Sequence, residues 1–367
     1  MSFNGERLRL VRQFAEMTQT ELGDKVAVSQ AAIADYERNR KQPSDSVAEA
    51  LAAVSKCHLT FFYSHDDERF SEDEYNFRRR ITATERLRKK VVAQASLFCI
   101  VLTYLREQVE LPRLNFPSCV VDSDESIEQA AETARVHWGL GIDGPIASMS
   151  RVLENNGVVL TVADSETATK VDAFSRYGRT SVAVLNTAKG SPSRTFFDMA
   201  HECAHGVLHV GTRKSDELKE KEADRFAGAF LMPRRAFTRE FWSKQTISWL
   251  HLFEIKKRWG TSLAAILVRA HQLGLLDTAA YRIAFQSLSR RGWRTAEPEE
   301  PAAEQPELFS MALQQYCHDQ RKTLMDLSSE IGFSPELFSG VTGIPIPTGS
   351  PDVTSLDAYR RRRVVET

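Results

Sequence analysis

The sequence contains few cysteines, and their spacing matches neither a thiolate metal site nor a disulfide-rich secreted domain. There are five in 367 residues, with no CxxC pair among them, at positions 57, 99, 119, 203 and 317. This scatter argues against a thiolate zinc site and is typical of proteins in a reducing compartment.

Long hydrophobic runs are missing as well. The N-terminus, MSFNGERLRL, lacks the apolar core of a signal peptide. The longest nearly apolar run, Leu97 to Leu105, is far shorter than the roughly 20 residues that a transmembrane helix needs. We therefore expect a cytoplasmic protein that does not contact a membrane.

Neither positive nor negative charge is in excess, and the formal net charge is only -1. The chain therefore has no overall attraction to nucleic acid, and any DNA binding must be local. A hydrophobic content of 42% is sufficient for packed cores, and the length suggests two or three domains. Helical spacing of apolar residues dominates, so we expect a mainly α protein with a small β-sheet (α+β).

An HExxH pattern stands at His201-Glu202-Cys203-Ala204-His205. On a helix, two imidazoles four residues apart project from one face, where both can bind one metal ion. Zinc bound in this way needs a third protein ligand and an open position for water, and Glu202 is the candidate base for that water. Cys203 faces away from the histidines and is expected in the core. The alternative is a surface helix with two solvated histidines.

A helical run downstream offers the third ligand. Glu220 and Asp224 share one face of it, so Glu220 can complete a His/His/Glu site while Asp224 accepts the free ring N–H of a ligating histidine. Glu222 points elsewhere and is expected to be a solvated helix charge, although helix phase leaves it open as an alternative third ligand. His209 has no assigned role.

Taken together, HECAHGVLH and EKEADRFAGAFLMP resemble the ImmA/IrrE family of zinc metallopeptidases. The segments that begin at Ile127 and Lys170 are similar to family segments that precede the metal helix. The resemblance implies a zincin-like metallopeptidase domain with one Zn2+ per chain and a protein substrate such as a repressor or antitoxin. Asp224 stands where many members have Asn.

The N-terminal region carries a second pattern. Thr18 to Glu21 form a capping box that opens a helix through Val26, and Ser29 caps a second helix. This segment resembles the helix-turn-helix of the XRE family, a five-helix-type domain. Ala27 stands where the turn usually has Gly, and a positive φ there would cost about 1 kcal/mol. The apolar residues expected to form its core are Leu8, Val11, Leu22, Val26, Val28 and Ile33.

In this geometry the second helix enters the major groove with its N-terminus first. Its expected DNA contacts are base edges for Gln30, Ala31 and Ala32, with Gln suited to adenine, and backbone or flanking contacts for Gln19, Ser29, Arg38, Arg40 and Lys41. Residues 1–65 contain eight Lys/Arg and eight Asp/Glu. This neutrality leaves open that the motif serves only dimerisation.

A basic stretch follows, with nine Lys/Arg against four Asp/Glu between Arg69 and Arg106. It either widens the DNA footprint or forms the solvated face of a connecting helix. An apolar stripe there favours core packing over a coiled coil, although helix pairing would give a homodimer. Its members, spaced 4-3-4-3-4, are Val91, Ala95, Phe98, Leu102, Leu105 and Val109.

The remaining segments complete the predicted order of the chain. VVLTVA and SVAVLN should form a small sheet beside the metal helix, with residues 181–186 as a cradle for a substrate strand. Ser191-Pro192 should cap and start the metal helix. The predicted segments are a helix-turn-helix domain (1–68), a basic connecting helix (69–112), the metallopeptidase domain (113–294), an acidic Pro-rich linker (295–307) that is exposed or extended, a small helical segment (308–344) and a disordered basic tail (345–367). For residues 308–344, a docking helix pair is favoured over a second helix-turn-helix.

Two functional hypotheses follow. In the first, the protein is a DNA-binding regulator with a zinc endopeptidase domain that cleaves a repressor or antitoxin in a stress or mobile-element response. In the second, it is a transcription factor whose metallopeptidase-like domain senses a metal or a small ligand. Glu202 favours the first, since a sensor does not need a general base.

Overall fold

The computed structural model describes residues 2–63, 76–77, 84–162, 173–187, 190–241 and 248–346. The chain divides into two compact units. One combines the start of the chain, up to residue 66, with the segment from Cys317 onward, and the other runs from residue 67 to Tyr316. No helix among the described residues is long and apolar enough to cross a membrane.

The first unit begins with four short helices, α1 (Gly5–Phe14), α2 (Gln19–Lys25), α3 (Gln30–Glu37) and α4 (Asp45–Val54), and a 3-10 turn (Leu59–Tyr63). Thr18 and Glu21 form the predicted capping box, and the Ser29 hydroxyl accepts from the Ala32 N–H. Ala27 has a φ of 55°, so the turn does require the left-handed conformation that costs a residue with a Cβ about 1 kcal/mol. Five of the six predicted core residues are buried, and Val28 is half-buried.

The second unit contains most of the chain. Its elements in chain order are β1 (Asn76–Phe77), α5 (Glu85–Gln108), α6 (Asp124–His137), α7 (Met149–Asn155), β2 (Val158–Val162), β3 (Phe174–Arg176), β4 (Ser181–Leu185), α8 (Pro192–Ala204), a π-helical turn (His205–His209), α9 (Asp216–Leu231), α10 (Arg234–Glu240), α11 (Trp249–Trp259), α12 (Leu263–Gln272), α13 (Thr278–Arg290) and α14 (Leu308–Gln320) up to Tyr316.

The sheet of this unit has the order β1-β3-β4-β2. β4 pairs parallel with β2 and antiparallel with β3, and β3 also pairs with β1. Because β4 is paired on both sides, it has no free row of backbone N–H and C=O groups for another strand. The prediction that residues 181–186 form a cradle for a substrate strand was therefore wrong.

Helix α5 belongs to the core of this unit. Val91, Val92 and Ala95 pack against Phe174 and Val184 of the sheet. Residues outside the predicted stripe are also fully buried, including Ala93, Leu97 and Val101. Between residues 91 and 102 the helix is buried on nearly all sides, as a core helix is, so the core-packing interpretation holds. Within the basic stretch, residues 78–80 lie outside the described part of the chain.

The acidic segment 295–307 was predicted to be exposed or extended, and the exposed alternative is wrong for three of its five glutamates, Glu297, Glu300 and Glu304. It has no regular structure, but residues 297–304, here called the acidic strap, run along the second unit. A helix N-terminus has unpaired N–H groups and favours negative charge. Three strap carboxylates accept from such groups, namely Glu297 from Leu263 of α12, Glu300 from Ser193 of α8, and Glu304 from Met149 and Ser150 of α7.

The strap also completes a buried ion pair. The Nζ atom of Lys256 lies 2.8 Å from carboxylate oxygens of both Glu297 and Glu300, and its side chain is fully buried. A buried charge is tolerated only when it is paired and hydrogen-bonded, so α11 and the strap depend on each other.

Two further helices, α15 (Leu324–Ile331) and α16 (Pro335–Thr342), pack against the N-terminal helices within the first unit. The His58 N–H donates to the Gly332 carbonyl at 2.8 Å, and the Ser334 N–H donates to the Lys56 carbonyl at 3.1 Å. The rings of Phe61 and Phe333 are 5.3 Å apart. The predicted basic tail begins at residue 345, and its residues from 347 onward lie outside the described part of the chain.

Candidate metal centre and DNA-binding surface

Two packed helices bring three potential ligands together. His201 lies on α8, His205 begins the π-helical turn that continues it, and Glu220 lies on α9. The Nε2 atoms of the two histidines are 3.2 Å apart, and Glu220 oxygens lie 3.5 Å from His201 Nε2 and 3.4 Å from His205 Nε2. A tetrahedral zinc ion with Zn–N distances of about 2.0–2.1 Å separates its nitrogen ligands by roughly 3.3–3.4 Å. The donor set therefore fits zinc in both chemistry and spacing.

The charge state of these groups suits a divalent cation. Burial lowers the pKa of His205, so its imidazole is neutral near pH 7. Burial of Glu220 opposes its ionisation, but the neighbouring His201 and His205 rings outweigh burial and lower the pKa of this carboxyl to about 2. The set consists of neutral imidazole and ionised carboxylate, the forms that bind metal.

Asp224 lies one helical turn beyond Glu220, as the spacing predicts. Its Oδ1 atom is 2.8 Å from His201 Nδ1. Since a carboxylate accepts, His201 Nδ1 carries the proton and its Nε2 lone pair is directed toward Glu220 and His205.

Glu202 is 1% exposed and is not one of the three clustered ligands. The Ser175 hydroxyl on β3 donates to Glu202 Oε2 at 2.5 Å, and the Tyr177 hydroxyl donates to the Glu202 backbone carbonyl at 2.5 Å. An added Cβ at Gly206 would lie 2.5 Å from the Tyr177 ring, so only glycine lets this tyrosine approach the helix. Neither Ser175 nor Tyr177 was singled out from the sequence, where the segment that begins at Lys170 was noted only for its similarity to family segments that precede the metal helix.

The expectation that Glu222 is a solvated charge was wrong. The residue is 6% exposed. Its Oε2 atom lies 3.0 Å from His209 Nε2, and its Oε1 atom accepts from Lys214 Nζ at 2.7 Å. Both oxygens are thus engaged away from the ligand cluster, which disfavours Glu222 as the third ligand.

His209, unassigned from the sequence, lies on the far side of His205. The Nδ1 atoms of the two rings are 2.9 Å apart. Burial, together with His205, lowers the pKa of His209 to about 4, so this ring is neutral. Cys203 is fully buried in the core as expected, and burial raises its thiol pKa.

The expected DNA contacts gather on the surface of the first unit. Ser29, Gln30, Ala31, Arg38, Arg40 and Lys41 are exposed, and Gln19 and Ala32 are half-buried. Gln30 Nε2 donates to Gln19 Oε1 at 2.7 Å, and Gln19 Nε2 donates to Glu37 Oε2 at 2.8 Å. Arg12 also pairs with Glu37. This network holds Gln30 at the start of α3, while Lys41 forms an exposed ion pair with Asp35.

Comparison with protein families identifies both regions. Residues 154–271 match the family described as the IrrE N-terminal-like domain, a peptidase family, and residues 8–62 match a helix-turn-helix family. The chain joins a helix-turn-helix to an IrrE-like, metallopeptidase-type domain. It therefore has the parts of a DNA-binding regulator with a protease-like domain. No curated protein was found to match the chain.

The IrrE-like match contains all of the ligand cluster, but not everything that supports it. Ser191 occupies the cap position of α8, yet its side chain makes no capping hydrogen bond. Glu300 supplies the cap instead, accepting from the Ser193 N–H at 2.8 Å and from its hydroxyl at 2.9 Å. The predicted start of the helix at Ser191-Pro192 is confirmed, but the predicted capping hydrogen bond from the serine side chain was wrong, because a carboxylate from outside the matched segment satisfies this helix end.

Proposed function

We propose that this protein is a DNA-binding regulator whose IrrE-like domain is a zinc-dependent endopeptidase. The observation that carries the proposal is Glu202. It is a buried carboxylate that follows His201 directly in the chain and is not among the three clustered ligands, and a serine hydroxyl holds it in one orientation. A metal sensor needs the ligands and has no use for such a group.

His201 Nε2, His205 Nε2 and the Glu220 carboxylate would hold the zinc ion. When bound at two histidines and a glutamate, zinc supplies a water molecule whose pKa is lowered to about 7. Glu202 then acts as general base, accepting the proton of the attacking water and passing it to the leaving amine. The hydrogen bond from Ser175 fixes the Glu202 carboxylate for this transfer, while Asp224 keeps the His201 proton on Nδ1.

We infer that the substrate is a protein bound near the same DNA, such as a repressor or an antitoxin, in a stress or mobile-element response. The family resemblance supports the peptidase, and the helix-turn-helix supplies a means of bringing it to a promoter in the cytoplasm. Pairing of two chains would match the two-fold symmetry of palindromic sites.

Gln30 is the proposed base-reading residue. Its amide nitrogen gives one hydrogen to Gln19 and retains a second, so the side chain can still donate to adenine N7 and accept from N6. Ala31 and Ala32 would contact base edges beside it, with Ser29, Arg38, Arg40 and Lys41 at the flanking backbone.

The replacement Glu202→Gln tests the peptidase directly. We expect zinc content, folding and DNA binding to be unchanged, because this residue is not a ligand, and hydrolysis to fall by about 10² or more. New protein N-termini in cells with the wild type, absent in cells with the variant, would identify the substrate. The exposed Glu217→Gln on α9 is the matched control. A Glu202→Gln protein that regulates its promoter normally would contradict the peptidase and favour the sensor.

A further inference from the structure

A continuous chain of polar contacts leads away from His205 on the side opposite the ligand cluster. It runs from His205 Nδ1 to His209 Nδ1 (2.9 Å), from His209 Nε2 to Glu222 Oε2 (3.0 Å), and from Glu222 Oε1 to Lys214 Nζ (2.7 Å). Lys214 Nζ also donates to the Val121 carbonyl. His209 and Glu222 are buried, so these contacts replace water as hydrogen-bond partners.

The direction of each hydrogen bond follows from the charged end of the chain. Lys214 only donates, and Glu222 paired with it is an ionised acceptor. His209 Nε2 must therefore carry a proton and donate to Glu222. A neutral His209 then has its lone pair on Nδ1 and can only accept from His205. His205 Nδ1 must carry a proton in turn, which leaves the lone pair of His205 on Nε2, facing His201 and Glu220.

We propose that His209, Glu222 and Lys214 are positioning residues that set the tautomer and ring orientation of His205 for metal binding. The inference rests on the proposed zinc site. The two histidines receive this support by different means. His201 donates directly to Asp224, whereas His205 is oriented through a second imidazole that a buried carboxylate and an ammonium group polarise. Groups that orient a metal-binding histidine typically change metal affinity by about 10- to 100-fold.

A matched pair of substitutions isolates the acceptor atom. Asn and Leu have nearly the same shape, and Asn Oδ1 takes the place of His Nδ1. His209→Leu removes the acceptor for His205, whereas His209→Asn retains it. The zinc dissociation constant of the whole chain is measured with zinc alone as the ligand and a chelator as competitor. We expect it to rise about 10- to 100-fold in His209→Leu and to stay within about threefold of the wild-type value in His209→Asn.

A spectroscopic measurement on the metal-free protein reports the tautomer of His205 directly. In nitrogen-15 spectra of the histidine side chains, His205 should be protonated at Nδ1 in the metal-free wild type and in His209→Asn. It should be a mixture of tautomers in His209→Leu. This signature does not depend on stability, so it remains informative if the leucine variant unfolds at a lower temperature.

Two controls define the limits of the effect. Glu222→Gln keeps a carbonyl that can accept from His209, so zinc affinity should fall by less than about tenfold. His137→Asn changes an exposed histidine that contacts Asn115 and should leave zinc affinity unchanged. A folded His209→Leu protein with wild-type zinc affinity and a single Nδ1–H tautomer at His205 would overturn the proposal. A wild type that binds no zinc would instead refute the proposed function, and the tautomer measurement would still decide whether His209 orients His205.

Discussion

The candidate metal centre and the proposed DNA-facing surface are both polar, but the protein holds them in opposite ways. His201, Glu202 and His205 are almost fully buried, and each has a defined partner. On the proposed DNA-facing surface, the exposed Gln30 side chain has one hydrogen-bond partner among the described residues, Gln19. A metal ion demands fixed ligand distances and cannot adapt, whereas DNA attracts basic side chains over a distance and tolerates their motion. The side chains that would bind the less adaptable ligand, the metal ion, are therefore the ones held most rigidly.

This difference also separates the consequences of substitution. A buried polar group that loses its partner carries its full desolvation cost in the folded protein itself. Replacing an exposed polar group costs the folded protein little free energy, and the effect is seen only when the group's ligand is present. Changes in the IrrE-like unit should alter metal binding or stability, while changes on the DNA-facing surface should alter only DNA binding.

The largest effect is expected from Glu220→Gln. This change removes the carboxylate of the ligand cluster, so we expect metal analysis to show loss of bound zinc after dialysis. Glu222→Gln on the same helix removes a positioning group and not a ligand, so its zinc affinity should fall by less than about tenfold and it should still retain about one zinc ion per chain. The reverse result would transfer the ligand role to Glu222.

The buried ion pair of the acidic strap should produce the next largest effect. Lys256→Met leaves two carboxylates without their cation, and breaking a buried pair in this way costs about 3–5 kcal/mol of unfolding free energy. All five tryptophans lie between Trp138 and Trp293, so their fluorescence during denaturation reports on this unit. Arg239→Met breaks an exposed pair with Asp143 and should cost less than about 1 kcal/mol. A loss of unfolding free energy for Lys256→Met as small as that for Arg239→Met would show that the ion pair of the strap is dispensable for stability.

The smallest effect should be at the DNA-facing surface. Gln30→Ala should weaken binding to the cognate site by about 1–3 kcal/mol and binding to random DNA very little, because a base contact carries sequence information. Arg40→Ala is the comparison, since loss of a phosphate contact weakens both and lowers the salt dependence by about one unit. A parallel fall in both affinities for Gln30→Ala would mean that α3 does not read bases.

Local geometry made several of these features predictable. The spacing of His201 and His205, the position of Glu220 relative to Asp224, and the caps at Thr18 and Ser29 depend only on residues within one or two helical turns. Helix periodicity states which residues share a face. These relations therefore carry over from sequence to structure without knowledge of the rest of the fold.

Other features depend on which faces become covered, and periodicity does not contain that information. Glu222 lies off the face of α9 that carries Glu220, but its own face of the helix is also covered by other residues. There the Glu222 carboxylate contacts His209 and Lys214. Ser175 reaches Glu202 from a strand 27 residues earlier. The acidic strap has the composition of a solvated linker, and only the tertiary structure provides the helix ends to which its glutamates bind.

The acidic strap has a consequence for the order in which the protein is made. Helix α8 is complete when residue 204 leaves the ribosome, but its N-terminal cap, Glu300, is translated almost a hundred residues later. At about 5–20 residues per second, this delay lasts on the order of 5–20 seconds. The first unit waits still longer, because α15 and α16 are among its last parts to be synthesised. A chain released before the acidic strap is made would hold the proposed DNA-reading helix and the proposed metal ligands while lacking segments of both units, so neither proposed activity should mature before α16 has been synthesised.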